Sequence, residues 1–588
     1  MENQRLLIWA TFGMLMWLTY QSWTQDYGPQ SAEATQASSD ETLQLPNDAD
    51  SLPSLPPPTT DSSLDAPQIA ASAPAAQTAT PGEPATDDTI IHVVTDVLEV
   101  DINTRGATLQ RVSLNQYPVT KDHPDKLVEL LNPGAPNFGL VQTGLRTAGD
   151  GAEANHLAIF ETAATNYELG GADELVVPLL WTDGNGIRVE KEIRFTRGSY
   201  RIDITQRVSN DSGADWRGAE YAQLQRRSIE VDRSMFDVDT YSFDGPIIYD
   251  GEKSEKLKRG DLLSDGAVAF TAQAGWIGAI QHHFLSAIVP PAEGEYRYNV
   301  SVRGDTSTAS LIGPAQTISS GAEHVFVTTI FSGPKLQQQL EEINDSLKLT
   351  VDYGWLTIIS QPLFWLLSKV FSVVGNWGFA IILVTIMIKM VFYKLTEASG
   401  RSMAKMREIQ PRMKALQDRY KDDRQALSQA MMELYKREKV NPAAGCLPIL
   451  IQMPFFLAFY WVLLESVEMR QAPFMLWITD LSSRDPFFIL PIIMGAAMLF
   501  QQRLNPAPAD PIQAKVMQVM PVIFTVFFAF FPAGLVLYWV TNTGLSIAQQ
   551  WYINKIVHEE AAARKGGKKN KNKDKNKDKD KDKDKQKS

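Results

Sequence analysis

Hydrophobic and polar positions change their rhythm several times along this chain. Leu6 to Tyr20 is an apolar run behind Arg5, and Trp17, Tyr20 and Trp23 sit near its end like aromatics at a membrane–water boundary. Residues 1–24 therefore read as an uncleaved membrane anchor. A cleaved signal is the competing reading, but its small-residue site, Ala32-Glu33-Ala34, lies far beyond the run. Residues 25–88 are mostly Pro, Ala, Ser, Thr and acidic side chains, too poor in large apolar groups to offset the entropy of ordering, and are expected to be a disordered tether. From 89 to 346 the period becomes two. Leu98, Val100 and Ile102 alternate with Val97, Glu99, Asp101 and Asn103. Ile187, Val189, Ile193 and Phe195 alternate with Arg188, Glu190, Glu192 and Arg194, directly after the turn Asp183-Gly184-Asn185-Gly186. Many such strands predict a large antiparallel β-sandwich.

Beyond Asp352 the chain turns membrane-like. Within 347–375, Trp355 to Val374 is apolar but interrupted by Gln361-Pro362 and Lys369. Five further stretches, 376–398, 442–467, 486–504, 515–531 and 533–555, are each near the length that spans a bilayer. The fold class is thus a multi-domain membrane protein, an α-helical core plus N-terminal anchor carrying a large all-β domain. Positive charge sets its orientation. The stretch 399–441 carries Arg401, Lys405, Arg407, Arg412, Lys414, Arg419 and more; Arg503 and Lys515 flank a later turn; the C-terminus is lysine-rich. All three belong on the cytoplasmic side, and six crossings put them there together with the N-terminus. Residues 347–375 then lie along the outer surface as an amphipathic helix, with the β-domain outside. Within 399–441, Met403, Met406, Ile409, Met413, Leu416 and Tyr420 form one helical stripe and Leu427, Met431 and Leu434 a second, around a turn at Lys421-Asp422-Asp423; this is a helical hairpin whose methionines either pack internally or meet a partner.

The net charge of -12 hides a segregation. No Lys or Arg lies between Arg5 and Arg105, whereas 564–588 holds 13 basic residues against 5 aspartates, a net +8. That tail, 556–588, is expected to be disordered, with Lys568, Lys569, Lys571 and Lys573 available to anionic lipid or to ribosomal RNA. Cys446 is the one cysteine, so no internal disulfide exists; an apolar-flanked cysteine of this kind is mostly core filler. Signatures of catalysis are missing: no GxGxxG, phosphate loop or GxSxG occurs, and His558-Glu559 has no second histidine. His282-His283 read as strand neighbours on opposite faces, which argues against a shared metal. No enzyme activity, metal, cofactor or DNA partner is expected.

One residue resists the bland reading. Lys389 interrupts the span 376–398, twelve residues after Trp377 and so about 18 Å along the helix. Lys394, near the end of that span, can snorkel to the surface, but Lys389 would have to climb about one and a half turns. Thr385 precedes it on the same helical face. Gln452 lies within the third span, and Thr541, Asn542, Thr543 and Ser546 within the last. Polar groups at matching depths in three helices make either a packing seam or a water-filled groove open to the cytoplasm, and the charge favours the groove. A transporter would also keep a mid-membrane charge but calls for repeats and paired broken helices. A membrane-anchored carbohydrate enzyme calls for clustered carboxylates or histidines, and none stands out.

Several ordered motifs carry a resemblance: Val351-Asp352-Tyr353-Gly354-Trp355, Gly375-Asn376-Trp377-Gly378-Phe379, Lys439-Val440-Asn441-Pro442, Leu450-Ile451-Gln452-Met453-Pro454, Arg470-Gln471-Ala472-Pro473-Phe474 and Gly534-Leu535-Val536-Leu537-Tyr538-Trp539. With them the chain, nearly everything after Ile91, resembles the YidC family of bacterial membrane protein insertases, related to the mitochondrial Oxa-type and chloroplast Alb-type proteins. The resemblance implies a five-helix core, a cytoplasmic hairpin, an outer β-supersandwich and a hydrophilic groove at Lys389, Thr385, Gln452 and Trp539, with Tyr538 and Asn542 beside it. It also implies residence in the inner membrane, nascent inner-membrane proteins as clients, the Sec translocon as a partner, and ribosome contact through the basic tail. Lysine stands at 389 where the family usually has arginine, keeping the charge without the five-donor fork. Lys394 stands where relatives often have proline.

Overall fold

The computed structural model describes residues 88–121, 123–134, 137–148, 151–227, 243–420, 423–438, 440, 447–504 and 511–585. The anchor 1–24 and all of the tether 25–88 except Asp88 lie outside the described residues.

The β-rich domain consists of two sheets. The nine-stranded sheet runs in the order Ser254–Lys256, Gly245–Tyr249, Trp276–Gln281, Phe284–Val289, Glu323–Pro334, Arg201–Asn210, Ile187–Thr196, Glu174–Thr182, Glu161–Thr162. The other has eleven strands. Its main path runs from Val268–Gln273 through Glu295–Arg303, Thr306–Ile312, Trp216–Arg227, Gly139–Thr147, Thr108–Thr120, Leu98–Asn103 and Ile90–Val94 to Asn166–Glu168. Alternation decides which face is buried. In Ile187–Thr196 the odd positions are inside, and Val189 and Ile193 stand opposite Val208 and Ile204 of the next strand. Side chains from both sheets, among them Val100, Leu224, Ile204 and Ile330, form one continuous core.

That alternation places a lysine inside. Lys191 falls on the inward parity, has no exposed surface, and donates from Nζ to the carbonyls of Gly106 and Thr143, both at 2.9 Å. It thereby ties one sheet to the backbone of the other, and burial pushes its amine down to about 7.

Ten helices occur among the described residues. Two are short, α1 (Arg259–Asp265) and α2 (Gln337–Ile343). The rest are α3 (Thr357–Val374), α4 (Trp377–Val391), α5 (Tyr393–Arg419), α6 (Arg424–Glu438), α7 (Leu447–Glu465), α8 (Ile489–Leu504), α9 (Pro511–Phe528) and α10 (Ala533–Lys585). The helical stretch Gly354–Val374 is long and apolar enough to cross a membrane. Ile451–Glu465, Ile489–Leu504 and Lys515–Phe528 are apolar but shorter. Gly375, left-handed at φ 69°, ends α3, and the Asn376 side chain caps α4 by accepting from Phe379 N–H at 3.1 Å. Asn376 Nδ2 also donates to the Phe474 carbonyl at 2.9 Å, and a Cβ on Gly378 would meet the Phe474 ring at 2.0 Å. Two of the recognised motifs therefore lock onto each other.

Three sequence expectations need correction. The span 376–398 is not one helix: it bends by 69° at Phe392, and residues 393–398 begin α5, which runs on as the first arm of the hairpin. Phe392 wedges edge-on against Phe455, centroids 5.1 Å apart, which holds the bend. The tail, expected to be disordered, continues α10 as helical backbone to Lys585; it contains no proline, and lysine is a good helix former. His282 and His283 do not face apart. They occupy the turn between two strands with rings stacked at 3.8 Å.

The β-rich domain is fixed to the outer ends of the helices. Arg470 Nη2 donates to the carbonyls of Pro118 and Val119 at 3.0 and 3.1 Å, and Gln471 Nε2 to Pro118 at 2.9 Å. His282 Nε2 lies 3.2 Å from the Leu464 carbonyl, and Lys335 Nζ lies 3.6 Å from Glu465.

Candidate functional site

α4, α7 and α10 meet around Lys389. Its Nζ donates to Ser546 Oγ at 2.8 Å, and that hydroxyl donates to the Asn542 carbonyl at 2.7 Å. Asn542 Oδ1 in turn accepts from Gln452 Nε2 at 2.5 Å. One hydrogen-bonded chain thus joins the three helices that carried the polar positions in sequence. The lysine has no carboxylate partner among the described residues. Beside it is an opening of about 20 Å³ lined by Ile388, Lys389, Phe392, Leu395, Thr396, Ile451 and Gln452. That is room for about one water, with hydroxyl, amide and ammonium groups to bind it.

The other expected residues sit elsewhere. Thr385 is buried, 1% exposed, and its hydroxyl donates to the Ile381 carbonyl at 2.7 Å, so it faces the packed core and not the opening. Tyr538 is also buried, stacked on Phe459 at 4.5 Å and near-parallel to Phe456. Trp539 packs edge-on against Phe456 at 4.6 Å and tilts onto Phe528 at 5.1 Å. These aromatics brace α10 against α7 and α9 above the polar chain. Sequence reasoning did not single out Thr396. Its signal was available: it follows Lys389 by seven residues, two turns on the same face were the helix straight.

Lys394 is 92% exposed at its side chain and lies 3.8 Å from Glu397, in keeping with snorkelling. Below it, Arg401 pairs with Glu397 at 3.1 Å and with Glu560 of α10 at 3.0 Å, tying the start of the hairpin to the last helix. In the hairpin, Met413 is buried with Ile409, Leu434 and Val440; Met406 packs on that cluster and Met403 is half-buried. The methionine stripe is used largely for internal packing. The tail lysines Lys568, Lys569, Lys571 and Lys573 lie on the α10 backbone.

Such an assembly is an apolar helical core with a polar, cation-bearing recess and an attached β-rich domain, the architecture of a membrane-insertion factor. Two family models match: the 60Kd inner membrane protein over residues 369–560 and the YidC periplasmic domain over 90–366. The chain is 46% identical to the membrane protein insertase YidC of Thioalkalivibrio sulfidiphilus, covering 96% of this chain and 100% of that one. It is 48% identical to that of Alkalilimnicola ehrlichii, over 82% and 86% of the two chains. A solved active YidC insertase with its first transmembrane domain resolved is similar at 18% identity and TM-score 0.37, over 80% of this chain and 93% of that one. The chain belongs to the YidC family of membrane protein insertases. It is an insertase of the inner membrane with a periplasmic β-rich domain, not an enzyme, and the transporter reading falls away.

Proposed function

We propose that the Lys389 recess is where this insertase receives the polar flank of a client. Inserting a helix into lipid is downhill once its apolar segment reaches the bilayer; the barrier is carrying the attached hydrophilic flank past hydrocarbon. The flank enters from the cytoplasm and exchanges part of its hydration for the Lys389 ammonium, the Ser546 hydroxyl and the Gln452 and Asn542 amides. Its apolar helix slides into lipid alongside. The cation favours acidic flanks most. The observation that carries this reading is the Lys389–Ser546–Asn542–Gln452 chain, with no carboxylate on the lysine among the described residues.

In this reading the core is a five-helix bundle with α3 lying on the outer surface, the β-domain is a supersandwich, and both termini are cytoplasmic. Thr385, Tyr538 and Trp539 hold the recess in shape from its packed side. The Sec translocon is a partner for larger clients. The basic tail sits at the cytoplasmic surface, where each lysine near anionic lipid is worth about 1 kcal/mol and where ribosomes deliver nascent chains. The test is insertion of a single-span client with an acidic translocated tail into proteoliposomes. Lys389→Arg should retain activity and Lys389→Glu should lose most of it; equal insertion by the Glu variant would remove the electrostatic role.

A further inference from the structure

A much larger cleft opens on the outer side. Its volume is about 1360 Å³, between α2, α3 and one end of the nine-stranded sheet, where the strands Glu174–Thr182, Ile187–Thr196 and Arg201–Asn210 and the turn at Arg197–Ser199 meet. We propose that this cleft is a second client site, which holds the hydrophilic flank as an extended polypeptide after it has left the Lys389 recess. The proposal rests on the insertase reading above.

Size comes first. Small-molecule sites are about 300–1,000 Å³, and this cleft exceeds them. Chemistry comes next. The lining holds five basic residues (Arg194, Arg197, Arg201, Lys348, Lys369) and five acidic ones (Glu174, Asp203, Glu341, Glu342, Glu468), so it is not built for a polyanion or a lipid phosphate alone. Many of these are already satisfied: Arg194 bonds Glu174 at 2.9 Å, Arg201 bonds Asp203 at 2.8 Å, and Lys348 bonds Asp345 at 2.6 Å. Among these charges lie three amides of α2: Gln337 Nε2 donates to the Tyr353 hydroxyl at 2.6 Å and Gln339 Nε2 to the Gly198 carbonyl at 3.0 Å, while the exposed Gln338 amide is left to donate and accept as a peptide bond does. Trp365 of α3 adds an exposed aromatic face. Amide-rich, charge-balanced and partly aromatic walls suit an extended chain of mixed sequence.

Position connects the two sites. Trp377, the first residue of α4, lines the cleft, and Lys389 lies twelve residues along the same helix. That is about 18 Å, which an extended chain covers in about five residues at 3.3–3.6 Å each. A flank longer than this reaches the cleft while its membrane-proximal end is still at the recess.

The experiment places a photocrosslinking residue at Gln338 and, separately, at Thr396 in the full-length protein, in cells making a single-span client with a translocated tail. The expected result is adducts from Thr396 at every tail length and from Gln338 only for tails longer than about five residues. In the Glu342→Lys protein, Gln338 adducts should shift at least threefold toward acidic over basic tails. Adducts from Thr396 with none from Gln338 at any length would overturn the cleft proposal and leave the recess standing. Absence of both would overturn the recess reading, and this one with it. Adducts from Gln338 to lipid or to another protein regardless of client would also overturn it.

Discussion

Removing one member of the buried Lys335–Glu465 pair should loosen the β-rich domain from the helical core. Lys335 follows the strand Glu323–Pro334; its side chain is 2% exposed, with Nζ 3.6 Å from Glu465 Oε2 and 3.4 Å from the Thr350 carbonyl. Glu465 is the last residue of α7, the helix that carries Gln452. Burial pushes the Lys335 amine below its ordinary range, and the Glu465 carboxylate is the strongest force opposing that shift. Deleting one partner of a buried pair leaves an uncompensated charge at a cost of about 3–5 kcal/mol, whereas replacing both with apolar groups of similar volume is close to neutral. The separation of 3.6 Å and the 12% exposure of Glu465 put this pair at the low end. Glu465→Leu and Lys335→Met should each cost about 3 kcal/mol, and the double variant less than either. Amide hydrogen exchange in the outer turn of α7 reads this directly: each single variant should speed exchange there by about a hundredfold, since 1.4 kcal/mol is tenfold, and the double should restore most of the protection. Single variants within 1 kcal/mol of the parent, or a double variant showing the sum of both losses, would refute the reasoning.

Other outcomes follow from the same geometry. Ser546→Ala, which removes the acceptor of the Lys389 ammonium and the link to Asn542, should reduce insertion of acidic-tailed clients while sparing neutral-tailed ones; equal loss for both would point to packing. Glu220 is buried, accepts from Tyr296 at 2.8 Å and Thr328 at 2.9 Å, and is pushed up from 4.5 to about 7 by burial. Its protonated form is favoured by folding, so its contribution is fully present below pH 4.5 and lost as pH rises through 7. The stability of the parent relative to Glu220→Gln should therefore fall by about 3 kcal/mol across that window, at 1.36 kcal/mol per pH unit, and a flat difference would show the group is ionised throughout. Lys191→Met strands the Gly106 and Thr143 carbonyls and should destabilise the β-rich domain by about 2–4 kcal/mol in thermal unfolding. Deleting 564–588 should weaken ribosome co-sedimentation, and in the intact protein that binding should fall steeply with salt; unchanged co-sedimentation at low salt would leave the tail to lipid alone.

The order of elements was legible because it depends on local period. Alternation identified the strand pair 187–196 and 201–210, continuous apolarity located α7 to α10, and stripes with a charged turn located the hairpin. Lys389, Gln452, Asn542 and Ser546 stood out singly because a polar group inside an apolar span is costly wherever it ends up. Their joining into one chain, and the turning of Thr385, Tyr538 and Trp539 into packed surroundings, depended on how α4, α7 and α10 rotate against one another. A residue's own helix carries no record of that rotation. The bend at Phe392 needed the Phe455 ring from a distant helix, and the inward placement of Lys191 needed two carbonyls from the opposing sheet. Which segments bury themselves, and with what period, follows from neighbours a few residues away and could be read from the chain directly. Which polar groups meet and where a cleft opens emerged with the folded arrangement alone, because both are set by contacts between residues tens to hundreds of positions apart.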